Sequence, residues 1–291
     1  MNIAILSRGE ALYSTKSLLN AGQARNHNIE VLDPSYCNLA MENGKAVLYF
    51  ENELVDDLHA IIPRIGASNT FYGTNVVRHF EAMGVFSVVS SDGISHSRDK
   101  WTCFQIMTKN QIPVPKTVFA SFFEFEEQLK TFNGKPIIIK LLEGTHGEGV
   151  ILSESPQNAL ATIETLNAAG VKFILQEYIE EAHGTDIRAI VVDGVVVAAM
   201  RRICKDGDFR SNLHRGGSSE IIQLSSAEEK IAIKAAKAIG LGFCGVDILQ
   251  SKNGPLVLEI NSTPGLEGIE NTSGINVSKS VIGFIERSRK K

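Results

Sequence analysis

The chain is 291 residues long, 43% hydrophobic and 21% charged, with a formal charge of −4. That length suits two or three small domains better than one compact core. The balance is ordinary for a soluble globular protein, and the charge offers no reason to expect a general nucleic-acid-binding surface, leaving room only for a local basic cleft.

In chain order, "NIAIL" at 2–6 and "NIEVLDP" at 28–34 read as β-strands, with a helix between them from about Ser14 to Arg25. A strand–helix–strand opening of this kind predicts a parallel βαβ unit, which "AIIPRIG" and "FSVVSSD" continue. No GxGxxG follows the first strand, so the dinucleotide-binding fingerprint is missing. A break is expected near "SDGISHSRDK", then a helix over "RDKWTCFQIMTKNQ" that ends before the prolines of "IPVPKT". The strand "PIIIKLL", the glycine-rich "EGTHGEGV", a helix at about 156–168 and the strand "KFILQEYI" form a second region. A third region takes the hairpin around Asp193-Gly194, an irregular stretch through "DFRSNLHRGG", a helix at 226–240 and a last hairpin.

No apolar run reaches membrane-spanning length, and the opening residues lack the basic leader and apolar stretch of a signal peptide. Cys37, Cys103, Cys204 and Cys244 are scattered without metal-binding spacing, which points to buried thiols in a reducing compartment. The expectation is a cytoplasmic protein with neither a membrane nor a nucleic acid as direct partner.

The last hairpin carries the sharpest chemical signal. Asp247 and Glu259 lie six residues either side of Asn253, whose pairing with Gly254 is a strong turn signal, so they should face each other. Side chains alternate along a strand, which sets Asp247, Glu259 and Asn261 on one face and Val246, Ile248, Leu258 and Ile260 on the other. Adjacent carboxylates repel unless a positive charge separates them, and an oxygen-only donor set favours Mg²⁺ or Mn²⁺. The plain alternative is a solvated face with chance acidic residues.

Other segments bear on that choice. Lys140 ends an apolar strand, and Gly144, Gly147 and Gly149 follow within a loop whose backbone N–H groups could approach an anion, although no Walker A pattern is present. A simple turn is the competing reading. Lys100 alone reads as a surface lysine. The strand edge at Glu177, with acidic residues up to Asp186, could serve an adenosine. Arg210, His214 and Arg215 cluster beside Asn212 without apolar periodicity, as an oxyanion-binding loop would, or as a mobile exposed loop would. Arg188, Arg201 and Arg202 could add positive charge or face solvent.

Taken in order, Lys100 in "RDK", "IPVPKT", Lys140 in "IIIK", "EGTHGEGV", "QEYI", "GVDIL" and "LEINSTPGLEG" resemble the motif series of the ATP-grasp ligases over residues 96–268. "MNIAILSRG", "PRIG", "TFYGT", "GDFRSNLHRGG" and "NSTPGLEGIENTSGI" resemble the RimK-type branch, which adds glutamate to the C-terminus of a small-subunit ribosomal protein. The resemblance implies a fold of class α/β and α+β: an N-terminal α/β domain at 1–95, a central ATP-grasp lobe at 96–180 and a C-terminal lobe at 181–291 with the metal site. Lys100 and Lys140 would contact ATP phosphates, with Gly144, Thr145, Gly147 and Gly149 in a lid above them. Glu177, Tyr178 and Ile179 would meet the adenine and Asp186 the ribose. Arg210, Ser211 and Asn212 would line the nucleotide and the reaction centre. Asp247, Glu259 and Asn261 would hold two Mg²⁺ or Mn²⁺ ions, and Arg202 or Arg215 would steady an oxyanion. His146 and Glu148 depart from the Gln and apolar residue more usual in that lid, which would alter lid kinetics or nucleotide affinity.

The implied partners are glutamate and the ribosomal protein's C-terminal tail, in a homo-oligomeric enzyme, with poly-α-glutamate formation as a further activity. Two other reactions compete: glutamate ligation to a small-molecule or cofactor carboxylate, and phosphotransfer that stops at a phosphorylated product. A non-catalytic nucleotide sensor is a fourth reading, disfavoured by the presence of all three metal-binding residue types.

Overall fold

A computed structural model describes residues 1–120, 124–142, 149–204 and 217–288. The N-terminal region runs β1 (Asn2–Leu6), α1 (Tyr13–Gln23), β2 (Asn28–Leu32), β3 (Cys37–Glu42), β4 (Lys45–Phe50), β5 (Glu53–Leu54), β6 (Ala60–Pro63), α2 (Thr70–Ala82) and β7 (Phe86–Ser87). Its main sheet is parallel, in the order β2-β1-β6-β7. The near-continuous apolar strands fit this, because a parallel sheet is covered on both faces: Ile3 to Leu6 and Ile61 to Ile62 are fully buried. A small antiparallel sheet, β3-β4-β5, is appended. The opening βαβ prediction holds, and this appended sheet is the element the sequence reading passed over.

The stretch "SDGISHSRDK", where a domain break is expected, is helical. Helix α3 (Ser91–Arg98) begins at Ser90, whose hydroxyl accepts from Gly93 N, and α4 (Lys100–Lys109) begins at Asp99. The Asp99 carboxylate accepts from Thr102 N at 3.0 Å and Thr102 Oγ1 at 2.9 Å. An N-cap of this type satisfies helix-end donors that otherwise have no partner. One extended residue thus ends one helix and starts the next, bringing Arg98 and Lys100 to the same corner of the molecule.

The central region contains β8 (Thr117–Val118), α5 (Phe125–Lys130), β9 (Ile137–Leu141), β10 (Val150–Ser153), α6 (Pro156–Ala168) and β11 (Phe173–Glu177). Its antiparallel sheet has the order β10-β9-β11-β8. It packs a core of its own in which Ile137, Ile139, Phe173 and Leu175 meet Leu129, Phe132, Ala159 and Ile163. Strand alternation puts Lys140 on the face away from that core.

The last region comprises β12 (Thr185–Val192), β13 (Val195–Ile203), β14 (Ser218–Ile221), α7 (Ser226–Ile239), β15 (Phe243–Ser251), β16 (Gly254–Asn261), α8 (Glu267–Ser273) and α9 (Val277–Ser288). Five strands form one antiparallel sheet, β14-β13-β12-β15-β16. Helix α7 opens with a capping box between Ser225 and Glu228 and ends on the left-handed Gly240. Residues of this sheet, of α7 and of α9 share a single core with the N-terminal parallel sheet and α3. Among the described residues, no helix is long and apolar enough to cross a membrane.

Candidate active site

The final hairpin delivers the expected pairing by a different route. Asp247 and Glu259 are register partners, but the loop is Lys252-Asn253, with Ser251 opposite Gly254. A register shift between Asp247 and Ile248 restores the pairing. The shift overturns one expectation: Val257, rather than Leu258, pairs with Ile248 and is buried, while Leu258 is the extra residue of a bulge.

The two carboxylates occupy contrasting surroundings. Asp247 is 4% exposed; its Oδ1 accepts from Arg188 Nε at 2.8 Å, and its Oδ2 from Arg188 Nη2 and Arg202 Nη2, both at 2.7 Å. Burial alone would raise its pKa, yet the two guanidiniums overcome this and hold the acid at about 2. Arg202 also grips Asp186, through Nε at 2.6 Å and Nη2 at 2.5 Å. Burial works against the charge on Arg202, but the two carboxylates raise its pKa overall. Arg188 is the register partner of Asp247, and Asp186 that of Arg202, so the strands themselves set this alternating row. Glu259 is exposed, and Asn261 Oδ1 accepts from Thr263 N at 2.8 Å.

Two lysines approach from the other elements. Burial pushes Lys140 down to about 8, opposed by the charge of Glu259; Lys100 lowers it further, while Asp247 and Asp186 raise it. Lys100, the first residue of α4, donates from Nζ to Leu142 O at 3.1 Å, and burial lowers its pKa against the pull of Glu259 and Asp99. Arg98 is likewise lowered by burial and held up by Glu259. Five cations (Arg98, Lys100, Lys140, Arg188 and Arg202) therefore act on four carboxylates (Asp99, Asp186, Asp247 and Glu259). A cationic excess held at low dielectric suits a polyanion such as a triphosphate.

The remaining predicted residues divide into three groups. Glu177, the last residue of β11, accepts at Oε1 from Lys116 N at 2.7 Å; beyond it Tyr178 N donates to Pro136 O at 3.3 Å and Ile179 is buried. Asp186, expected at a ribose, is buried and turned to Arg202. Gly149 has φ +71°, and a Cβ there would lie 2.8 Å from Leu141 Cγ, so glycine is required for the chain to re-enter β10. Gly144, Thr145, Gly147, Arg210, Ser211, Asn212 and Arg215 lie outside the described residues, as do His146, Glu148 and His214. Of the three hairpin arginines, Arg188 and Arg202 face the site, while Arg201 pairs at 2.7 Å with the exposed Glu220. Arg98 is the cation the sequence reading missed; its only signal was adjacency to Lys100.

Among the described residues, no three His, Cys, Asp or Glu side chains group as a metal cluster. A divalent ion would depend on Glu259, Asn261 and the oxygens of Asp247. These are all hard donors and so fit Mg²⁺ or Mn²⁺, although Asp247 already serves two guanidiniums.

An antiparallel lobe with an inward lysine, facing a second antiparallel sheet with paired acids and attached to a small parallel domain, is the architecture of an ATP-grasp ligase. A RimK-like ATP-grasp domain model matches residues 97–285, and a RimK pre-ATP-grasp domain model matches residues 1–94. The chain belongs to the RimK-like ATP-grasp family and is an ATP-dependent ligase. A probable alpha-L-glutamate ligase of Halorhodospira halophila is 47% identical, over 100% of this chain and 96% of that protein. A Vibrio parahaemolyticus protein of the same description is 49% identical, over 100% and 97%. Among solved structures, the ATP-grasp ligase PsnB, complexed with a phosphomimetic minimal precursor, Mg and ADP, superposes with a TM-score of 0.77 at 18% identity, covering 100% and 98% of the two chains.

Proposed function

We propose that this ligase joins the amine of L-glutamate to the C-terminal carboxylate of a small-subunit ribosomal protein, with ATP consumed to ADP. One observation carries the ligase chemistry: exposed Glu259, the register partner of the arginine-bound Asp247, acts on the charge of the half-buried Lys140. The relatives described as glutamate ligases support the choice of amine. The ribosomal acceptor and poly-α-glutamate formation rest on the motif resemblance, as does the domain division at 95 and 180.

In this reading the acceptor carboxylate attacks the γ-phosphorus of ATP, giving an acyl phosphate and ADP. Lys140 and Lys100 offset the charge spreading over the phosphoryl oxygens. The glutamate amine then attacks the acyl carbon, the C–O bond to phosphate breaks, and an amide and inorganic phosphate remain. Arg202 uses Nε and Nη2 on the two aspartates. Its Nη1 would be the atom offered to the tetrahedral oxyanion, with Arg215 as the other candidate. Glu259, Asn261 and Asp247 would hold the Mg²⁺ or Mn²⁺ that supplies Lewis-acid polarisation of the phosphates. Gly144, Thr145, Gly147 and Gly149 would cover the phosphates. Glu177, Tyr178 and Ile179 would line the adenine, Asp186 would approach the ribose from its place beside Arg202, and Arg210, Ser211 and Asn212 would complete the nucleotide site.

The test is mass spectrometry of the acceptor after incubation with the protein, ATP, Mg²⁺ and glutamate, with each component omitted in turn. A ladder of glutamyl additions that needs every component is expected. ADP formed with glutamate but no change in the ribosomal protein would move the acceptor to another carboxylate. Phosphate retained on the product, with no need for an amine, would make the enzyme a phosphotransferase.

A further inference from the structure

The N-terminal parallel sheet has a topological switch point. From β1 the chain winds to β2 on one side, then returns to β6 and β7 on the other. Right-handed crossovers therefore place α1 and α2 on opposite faces, and a crevice opens beyond the C-terminal ends of β1 and β6. Arg8 stands two residues after β1, and Arg64 directly after β6. A Cβ on Gly66 would lie 3.7 Å from Arg8 Nη2, so the Arg8 guanidinium bridges the crevice on a residue with no side chain to obstruct it.

Arg64 is the unusual member. Its Nη2 donates to Pro264 O at 2.8 Å and its guanidinium lies 6.0 Å from the Phe243 ring centre, yet its Nη1 is buried with no hydrogen-bond partner among the described residues. A buried N–H of a cation left unpaired is costly, and such groups are normally satisfied. Burial holds this guanidinium down at about 10.

The crevice adjoins the reaction centre. Thr263 Oγ1 donates to Ile65 O at 3.1 Å, and Arg98 Nη2 donates to the same oxygen at 2.6 Å. Pro264 Cβ would lie 3.1 Å from a Cβ on Gly245, the register partner of Asn261.

We propose that Arg8 and Arg64 form a carboxylate-binding subsite at this switch point, which takes a glutamyl carboxylate and sets its owner beside Glu259 and Asn261. The inference rests on the ligase reading above. A guanidinium fork matches a carboxylate in two parallel hydrogen bonds, and Arg64 Nη1 has an unused donor to offer such an acceptor. Phosphates are served by the separate pair Lys100 and Lys140. The glutamyl group belongs either to the incoming amino acid or to an acidic acceptor tail.

The test is calorimetric titration of the full chain, held with Mg²⁺ and a non-hydrolysable ATP analogue, using two separate probes: L-glutamate and a short peptide ending in two glutamates. Arg8→Gln and Arg64→Lys should each weaken one probe about ten-fold or more, since each removes or misaligns charge-assisted bonds, while affinity for the analogue stays within about two-fold. The weakened probe identifies the owner of the carboxylate. Unchanged binding of both probes in either folded variant overturns the subsite, as does a wild-type chain that binds neither probe or an equal loss of analogue affinity. If Arg64→Lys fails to fold, the exposed Arg8 decides alone. No turnover is needed, so an absent glutamyl ladder would remove the ribosomal acceptor while leaving this result standing.

Discussion

Asp247 and Glu259 face each other in register, yet one is sealed between two guanidiniums and the other is open to the lysines. The pair therefore sets an arginine-held carboxylate and an exposed one on a single rung of the sheet.

Glu259→Gln should reduce turnover about 100-fold or more while leaving the melting temperature almost unchanged, because an exposed side chain loses only charge aimed at ligands. Steady-state ADP release and a thermal melt check this. Near wild-type turnover with Mg²⁺ would remove Glu259 from the metal set.

Asp247→Asn should instead unfold the chain more readily, by about 3–5 kcal/mol, the usual cost of breaking a buried pair and leaving its cations unbalanced. Urea denaturation of the variant gives the number. A loss below about 1 kcal/mol would mean that Arg188 and Arg202 find water or another acid once the aspartate is gone.

Lys140 gives the site a pH signature. Its folded pKa, at about 8, lies below the ordinary 10.5, so the charged form is the one the empty fold disfavours. The empty protein then gains stability as pH rises from about 8 toward 10.5, whereas a polyphosphate needs the ammonium form and binds with proton uptake. ATP-analogue affinity should fall as pH rises above about 8, and Lys140→Met should flatten that slope. A slope retained in the methionine variant would assign the titration to another group.

Gly149→Ala should destabilise the β9–β10 connection by about 1–2 kcal/mol or more, from the left-handed backbone and the overlap with Leu141. A melting temperature equal to wild type would show that the segment re-routes without the positive φ.

Much of the fold was legible in the sequence because its periodicities are local. Helix α6 falls at Pro156–Ala168, as the pattern at 156–168 predicts, and α7 at Ser226–Ile239 matches the helix expected at 226–240. Helix α3 within "SDGISHSRDK" was not legible because it is set by a cap at Ser90 rather than by an apolar stripe. The bulge at Leu258 misled because a two-residue loop and a one-residue slip together mimic an even hairpin.

The sequence by itself carried the motif series that resembles the family, the parallel opening and the acids of the last hairpin. These follow from residue type and short-range spacing, which a linear pattern preserves. Only the tertiary structure decided that Arg188 and Arg202 neutralise Asp247, that Arg98 joins Lys100 and Lys140 around Glu259, and that Arg64 keeps a buried N–H unpaired. The physical reason is that electrostatics depends on distance and burial, and these polar groups, 59 residues apart for Arg188 and Asp247 and 200 for Arg64 and the Pro264 carbonyl, come within reach only when the chain folds.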